Sequence, residues 1–594
     1  MTVDLLANEE AGGPLAFATT PVARCASPSV RRRRRRASST AAPPPPPQPT
    51  DSWEEAFASA MPCLAAAQLT EEDVPALERW RSMEHLVAHM PSINVHESPQ
   101  PTVQMSSTVQ PLGALSELTW GRPWLERNVS ARELFVSGAG DGRATGPSSS
   151  SSAAMCERAS WPYFFSSVDA LPPALRADLG ELLPRLRTPF LPALESNAWA
   201  GVPCVSSPLH YDAAHNVYSQ LVGTKRWLLM PPEETRSLYV YPRIHPSTRQ
   251  SQMNLRALPT DERFARFHTS FRGPRTGVRE YAGANGEGSA GANGGARGKG
   301  GEGGASRGGS SSGGCGGGIR CPTFFEAVMR PGERLYVPPY WWHRVSVVGN
   351  SSAISVAVYS QSTPMRAYGV IKEHPVPTLL TTSCNGRSTS WSSCLPALRS
   401  YILALGALRA PCAGVSISID LSFACAVGRR CACFADADAF EAHDGVMMAE
   451  VATNTPAGAV GSSESVAVDH TAAGKAEPGV DAVIELLETR YRYLDDAAVV
   501  DGLGPMLEAA RLRMRAKVHP PPPPLPPDAV NGLRAHARAL RARVIALPSK
   551  GDGVVSPAIW RTEIHSLIED VACAAVGARE VEAALTWISG KALV

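Results

Sequence analysis

Two β-patterned stretches far apart in the chain constrain this sequence more than anything else in it. The first, SSPLHYDAAHNVYSQLVGTKRWLLMPP over residues 206–232, places His210 and Asp212 two positions apart. On an extended backbone such residues lean to the same side, so one strand offers an imidazole and a carboxylate together. The second, RPGERLYVPPYWWHRVSVVGNSSAISVAVYS over residues 330–360, supplies His343 at the end of another strand-like run. If these strands are neighbours, two imidazoles and one carboxylate occupy one face of an octahedral metal and leave its other positions open. That is the ligand set of the non-haem Fe(II) oxygenases.

A lone His-x-Asp is common and is usually a polar surface pair; its surroundings sharpen it here. Lys225 closes the run QLVGTK on the strand after the metal loop, and a buried cation there needs an anion, which a dicarboxylate cosubstrate supplies. Ser207, three positions before His210, adds a hydroxyl to that carboxylate, and Asn216 is placed to hydrogen-bond cosubstrate or ligand. In PGERLYVPPYWWH a turn, a short strand and aromatics shield the His343 face from water, with Trp341 and Trp342 read as core residues. His215 is a rival ligand in HYDAAH, but its spacing carries it around the turn, to solvent or to a layer behind the ligands.

At these residues the chain resembles the JmjC/cupin-type Fe(II)/2-oxoglutarate dioxygenases, and among them the asparaginyl hydroxylase branch typified by factor inhibiting HIF. The matching blocks are SPLHYDAAHN, GTKRWLLMPP, LYVYPRIHPSTRQSQ and GERLYVPPYWWH, in that order within residues 161–363. The resemblance implies a mainly β core, a double-stranded β-helix (jelly roll), with flanking helices. It implies Fe(II) held by His210, Asp212 and His343, and 2-oxoglutarate held by Lys225 with Ser207, Asn216 and Tyr163. Arg249 and Gln250 fall where that branch contacts its target side chain. Where it has an asparagine on the last core strand this chain has Ala357, which removes a cosubstrate contact, and Tyr359 replaces a tryptophan of the pocket. The activity implied is O2-dependent hydroxylation of an sp3 carbon, with a protein side chain as the expected substrate. A tRNA base, or a non-catalytic cupin-like scaffold, stands as the alternative.

The rest of the chain reads as flanking material. Residues 1–52 read as a disordered Arg/Pro-rich arm without a core, and its basic run Arg31–Arg36 is open between a nuclear signal, an organelle-targeting element, an RNA tether and a plain solvated arm. The domain expected over 53–363 opens with helix-patterned segments over 53–86 and carries a Gly/Ser-rich insert at 282–318. A mixed region (364–451) and a linker (452–477) follow. Residues 478–594 read as an α-helical extension broken by polyproline at 519–527, the part through which a homodimer would form. No apolar run is long enough to span a bilayer, so no membrane association is expected. Thirteen cysteines without a Cys-x-x-Cys pair read as scattered reduced thiols. An intracellular location follows, cytoplasm or nucleus, with an organelle left open.

Overall fold

The computed structural model describes residues 19–22, 57, 60–65, 67–104, 123–136, 159–186, 193–253, 324–384, 391–410, 477–492, 494, 503–517, 522–547 and 555–590. The basic run, the Gly/Ser-rich insert and nearly all of the linker lie outside them.

The strands, in chain order, are β1 (Thr19–Pro21), β2 (Cys63–Leu64), β3 (Ser92–Ser98), β4 (Leu125–Ser130), β5 (Trp161–Ser167), β6 (Ala193–Gly201), β7 (His210–Tyr211), β8 (His215–Val222), β9 (Thr224–Met230), β10 (Phe324–Met329), β11 (Arg334–Val337), β12 (Trp342–Val348) and β13 (Ala353–Ser360). They build two sheets, ordered β1-β10-β9-β12-β7 and β2-β11-β8-β13-β6-β5-β3-β4. From β6 onward, four strands lie in the small sheet and four in the large one, paired antiparallel throughout. This is the expected cupin-like sandwich.

Strand alternation explains why both faces of the large sheet are buried. In β13, Ile354, Val356 and Val358 join the core beneath the flanking helices, whereas Ala357 and Tyr359 point to the small sheet. The flanking helices are α1 (Ala76–Arg79), α2 (Met83–His89), α3 (Ala131–Val136), α4 (Pro173–Asp178) and α5 (Leu182–Leu186). The chain passes from β8 in the large sheet to β9 in the small one through a tight turn at Gly223, whose φ is 68°. A Cβ there would come within 2.5 Å of the Ser352 carbonyl oxygen, so the position demands glycine.

The segment over 53–86 is less helical than its pattern predicts. Within it Cys63–Leu64 pairs with β11, and the helices that follow are short. α4 and α5 are parted at Gly180, where φ is 48°. Thr19–Pro21, inside the Arg/Pro-rich arm, adds in parallel to β10.

After β13 the chain turns helical: α6 (Thr363–Lys372), α7 (Thr378–Cys384), α8 (Trp391–Gly406), α9 (Val480–Leu486), α10 (Leu503–Lys517), α11 (Pro527–Ile545), α12 (Pro557–Val576) and α13 (Val581–Ile588). These helices share one apolar cluster with Leu209, Tyr211, Met230, Tyr239, Tyr340 and Trp342 of the β sandwich. The extension is thus packed directly behind the strand that carries His210. Cys384 and Cys394, at facing ends of α7 and α8, form a disulfide with Cα atoms 4.8 Å apart, and Cys63 and Cys204 each take part in a disulfide of their own. This corrects the reading of scattered thiols, because the helical hairpin brings together cysteines whose spacing alone gave no pairing signal. Among the described residues, no helix is long and apolar enough to cross a membrane.

Candidate metal centre

β7 and β12 pair so that His210 lies opposite His343. Their ring centroids are 4.2 Å apart, and the carboxylate of Asp212 comes within 3.6 Å of His343 Nε2. One ligand atom from each of the three residues falls within 4.8 Å of the others. The Nδ1 atoms of His210 and His343 each lie 2.9 Å from a backbone carbonyl, that of Pro208 and that of Trp341. A carbonyl only accepts, so both protons sit on Nδ1 and both Nε2 lone pairs are left for a metal. Desolvation pushes the His343 imidazole down to about 4, which also keeps its ring neutral at neutral pH. Trp227 stacks on His343 at 5.3 Å, covering its protein-facing side.

The turn after the ligand strand is held by backbone. The Tyr340 amide donates to the Asp212 carbonyl at 2.6 Å, with Tyr340 at φ 62°, and its ring stacks on Tyr211 at 5.2 Å. Beyond β7, the Tyr211 amide donates to the Arg249 carbonyl at 3.2 Å and the Ser251 amide to the Leu209 carbonyl at 2.8 Å. Arg249 and Gln250 are therefore beside the ligand strand, with Gln250 bridged to His210.

Lys225 on β9 has 2% of its surface exposed. Its Nζ donates to the Ser355 hydroxyl at 2.7 Å and the Tyr218 hydroxyl at 2.9 Å. Among the described residues no carboxylate pairs with it, and desolvation pushes its pKa down to about 7. Tyr218 and Ser355 were not singled out by sequence. The readable signal was parity, since β8 and β13 alternate about Asn216 and Ala357 and aim both hydroxyls into the sandwich.

The other expected residues divide. Asn216 is buried on the inner face of β8 and its side-chain oxygen has no hydrogen-bond partner. Tyr163 on β5 lies with its ring 6.0 Å from that of Trp199, and burial holds its hydroxyl well above the usual tyrosine range. Ser207 is tied to β12, its hydroxyl accepting from the Val345 amide at 3.0 Å, and it makes no hydrogen bond to Lys225. His215 is neither at the metal face nor in solvent. It is 1% exposed, with Nδ1 2.8 Å from the Tyr336 hydroxyl in the core behind the sheet, because one step along β8 reverses the face.

The comparisons agree with this architecture. Residues 49–276 match the model of the cupin-like domain family, a span that holds His210 and Asp212 and stops short of His343. The chain is similar to Jumonji C domain-containing protein 5 of Drosophila melanogaster, 24% identical over 167 residues, which cover 27% of each chain. It is also similar to JmjC domain-containing protein D of Dictyostelium discoideum, 46% identical over 46 residues, 8% of this chain and 10% of that one. The matched stretches thus span about a quarter or less of these relatives. Fold, family model and relatives together support a cupin-like/JmjC domain, a class with 2-oxoglutarate oxygenases among its members.

Proposed function

We propose that this chain is an Fe(II)- and 2-oxoglutarate-dependent dioxygenase that hydroxylates an sp3 carbon of a protein side chain. The observation that carries the reading is Lys225. A fully buried ammonium with hydroxyl partners and no carboxylate among the described residues is costly in a ligand-free interior. It makes sense beside a site that takes a dianion. The donor set fits the metal equally well: two imidazoles whose Nδ1 atoms are committed to backbone carbonyls, so that Nε2 is the atom each can offer, and one carboxylate.

Fe(II) with 2-oxoglutarate and O2 supplies the oxidising power for C–H hydroxylation, the cosubstrate leaving as succinate and CO2. The protein's part is placement. His210, Asp212 and His343 would hold the metal, and the backbone bonds at Pro208, Trp341 and Tyr340 fix the orientation of all three. Lys225, whose Nζ donates to the hydroxyls of Tyr218 and Ser355, would anchor one carboxylate of the cosubstrate and so orient it toward the triad. Trp227 and the aromatics around Trp342 keep water from the covered side. Substrate approaches where Asp212 is open, its side chain 27% exposed, past Arg249 and Gln250.

Succinate formation from 2-oxoglutarate that requires both Fe(II) and O2, and rises when fractionated peptides are added, is the expected result. Stimulation by tRNA fractions instead would move the substrate to RNA, and no succinate under any condition would leave a binding scaffold.

A further inference from the structure

The inner face of the large sheet carries a polar side chain that the metal and lysine readings leave unused. Asn197 on β6 is 3% exposed and lies directly opposite Ala357 of β13, which in turn lies opposite Tyr218 of β8. Its neighbours Ala198 and Ala200 belong to the core under the flanking helices, so alternation points Asn197 the other way, into the sandwich with Trp199. Among the described residues its carboxamide makes no hydrogen bond.

Its place between neighbouring rows says what it faces. One row along, Ser355 pairs with Trp199 and holds Lys225 through its hydroxyl. One row the other way, Tyr359 pairs with Glu195, and its hydroxyl feels the charge of Asp212. The row of Asn197 therefore falls between the row that holds Lys225 and the row nearest Asp212, where a molecule spanning the two would pass. Directly opposed Cβ atoms in an antiparallel pair stand about 5 Å apart, and Ala357 fills its side with one methyl group, leaving room for the carboxamide to reach across.

We propose that Asn197 is a cosubstrate-binding residue, its carboxamide donating a hydrogen bond to the keto oxygen of 2-oxoglutarate held between Lys225 and the triad. This rests on the dioxygenase reading and adds a residue to it. In effect the carboxamide stands on β6, across the strand from the position where Ala357 leaves none.

The test is calorimetric titration of 2-oxoglutarate, and separately of glutarate, into anaerobic full-length protein loaded with Mn(II), with thermal unfolding of each variant in parallel. Glutarate keeps the two carboxylates and lacks the keto group. Asn197→Ala is expected to weaken 2-oxoglutarate by about tenfold, to leave glutarate within about twofold, and to unfold at the wild-type temperature. Adding Ala357→Asn to Asn197→Ala is expected to recover most of the lost affinity. An Asn197→Ala protein with wild-type affinity for 2-oxoglutarate overturns the inference, and so does an equal loss for both acids. A wild-type protein that binds Mn(II) but no 2-oxoglutarate removes the dioxygenase reading itself, a result distinct from either.

Discussion

Lys225 in the β sandwich and Arg490 at the joint with the helical extension are equally hidden, each 2% exposed, yet they are treated differently. Arg490 is enclosed by acceptors. Its guanidinium pairs with the buried Glu569 and donates to the Thr562 carbonyl at 3.1 Å, while Tyr491 and the Arg243 amide donate to the same carboxylate at 2.8 and 3.1 Å. Arg243 adds a second buried pair with Asp570 at 3.3 Å. Lys225 has two hydroxyls and no anion among the described residues. A buried charge with its counter-charge in place is architecture, and a buried charge without one is a binding site in waiting. The helical joint carries its own counter-charges; the sandwich leaves one buried cation without an anion among the described residues.

The largest effect that sharpens this contrast is at the triad. Asp212→Ala should abolish metal binding and succinate formation, read by metal content after dialysis and by turnover, with unfolding temperature little changed. Next come the paired charges. Arg490→Met leaves Glu569 buried without its partner and should cost about 3–5 kcal/mol of stability, measured by denaturant unfolding. Lys225→Met should do the reverse, keeping or raising stability while weakening 2-oxoglutarate about a hundredfold. If Lys225→Met unfolds the protein and Arg490→Met is neutral, the contrast is broken.

A smaller effect lies in proton linkage. Lys225 titrates near about 7 in the fold, against roughly 10.4 in an unfolded chain. Between those values the unfolded state holds the extra proton, so this group makes the ligand-free protein more stable as pH rises, and less stable below its folded value. Wild type minus Lys225→Met, compared across that window, isolates the term. A bound dianion restores the charged form. At pH 8, 2-oxoglutarate binding should then take up most of one proton, read from titrations in buffers of different ionisation heat.

The sandwich was legible because its signals are local. His-x-Asp on a strand, a lysine ending QLVGTK, and Gly223 between two apolar runs each follow from alternation and turn chemistry within a few residues. What the sequence hid depends on pairing across distance. Tyr218 and Ser355 become partners of Lys225 only when β8 lies beside β13, and Asn197 gains its meaning from the register that sets it opposite Ala357. The Arg490–Glu569 pair joins α12 to the π-helical segment Leu487–Tyr491 that continues α9, so nothing near either residue in the chain points to it. His215 is outside the triad, as its spacing predicts, and of the two places left open for it the buried one holds, against Tyr336. The 53–86 segment reads as helix by composition, yet pairing of Cys63–Leu64 with β11 outweighs that local preference.

The most direct measurement is anaerobic titration of 2-oxoglutarate into Fe(II)-loaded full-length protein, followed by visible absorption and calorimetry, alongside Asp212→Ala and Lys225→Met. The account predicts one equivalent of metal and one of 2-oxoglutarate, with a metal-to-ligand charge-transfer band in the wild type. The band should be absent in Asp212→Ala, and in Lys225→Met it should appear only at much higher cosubstrate concentration. A wild-type protein that retains no metal, or an Asp212→Ala protein that develops the same band, would contradict it.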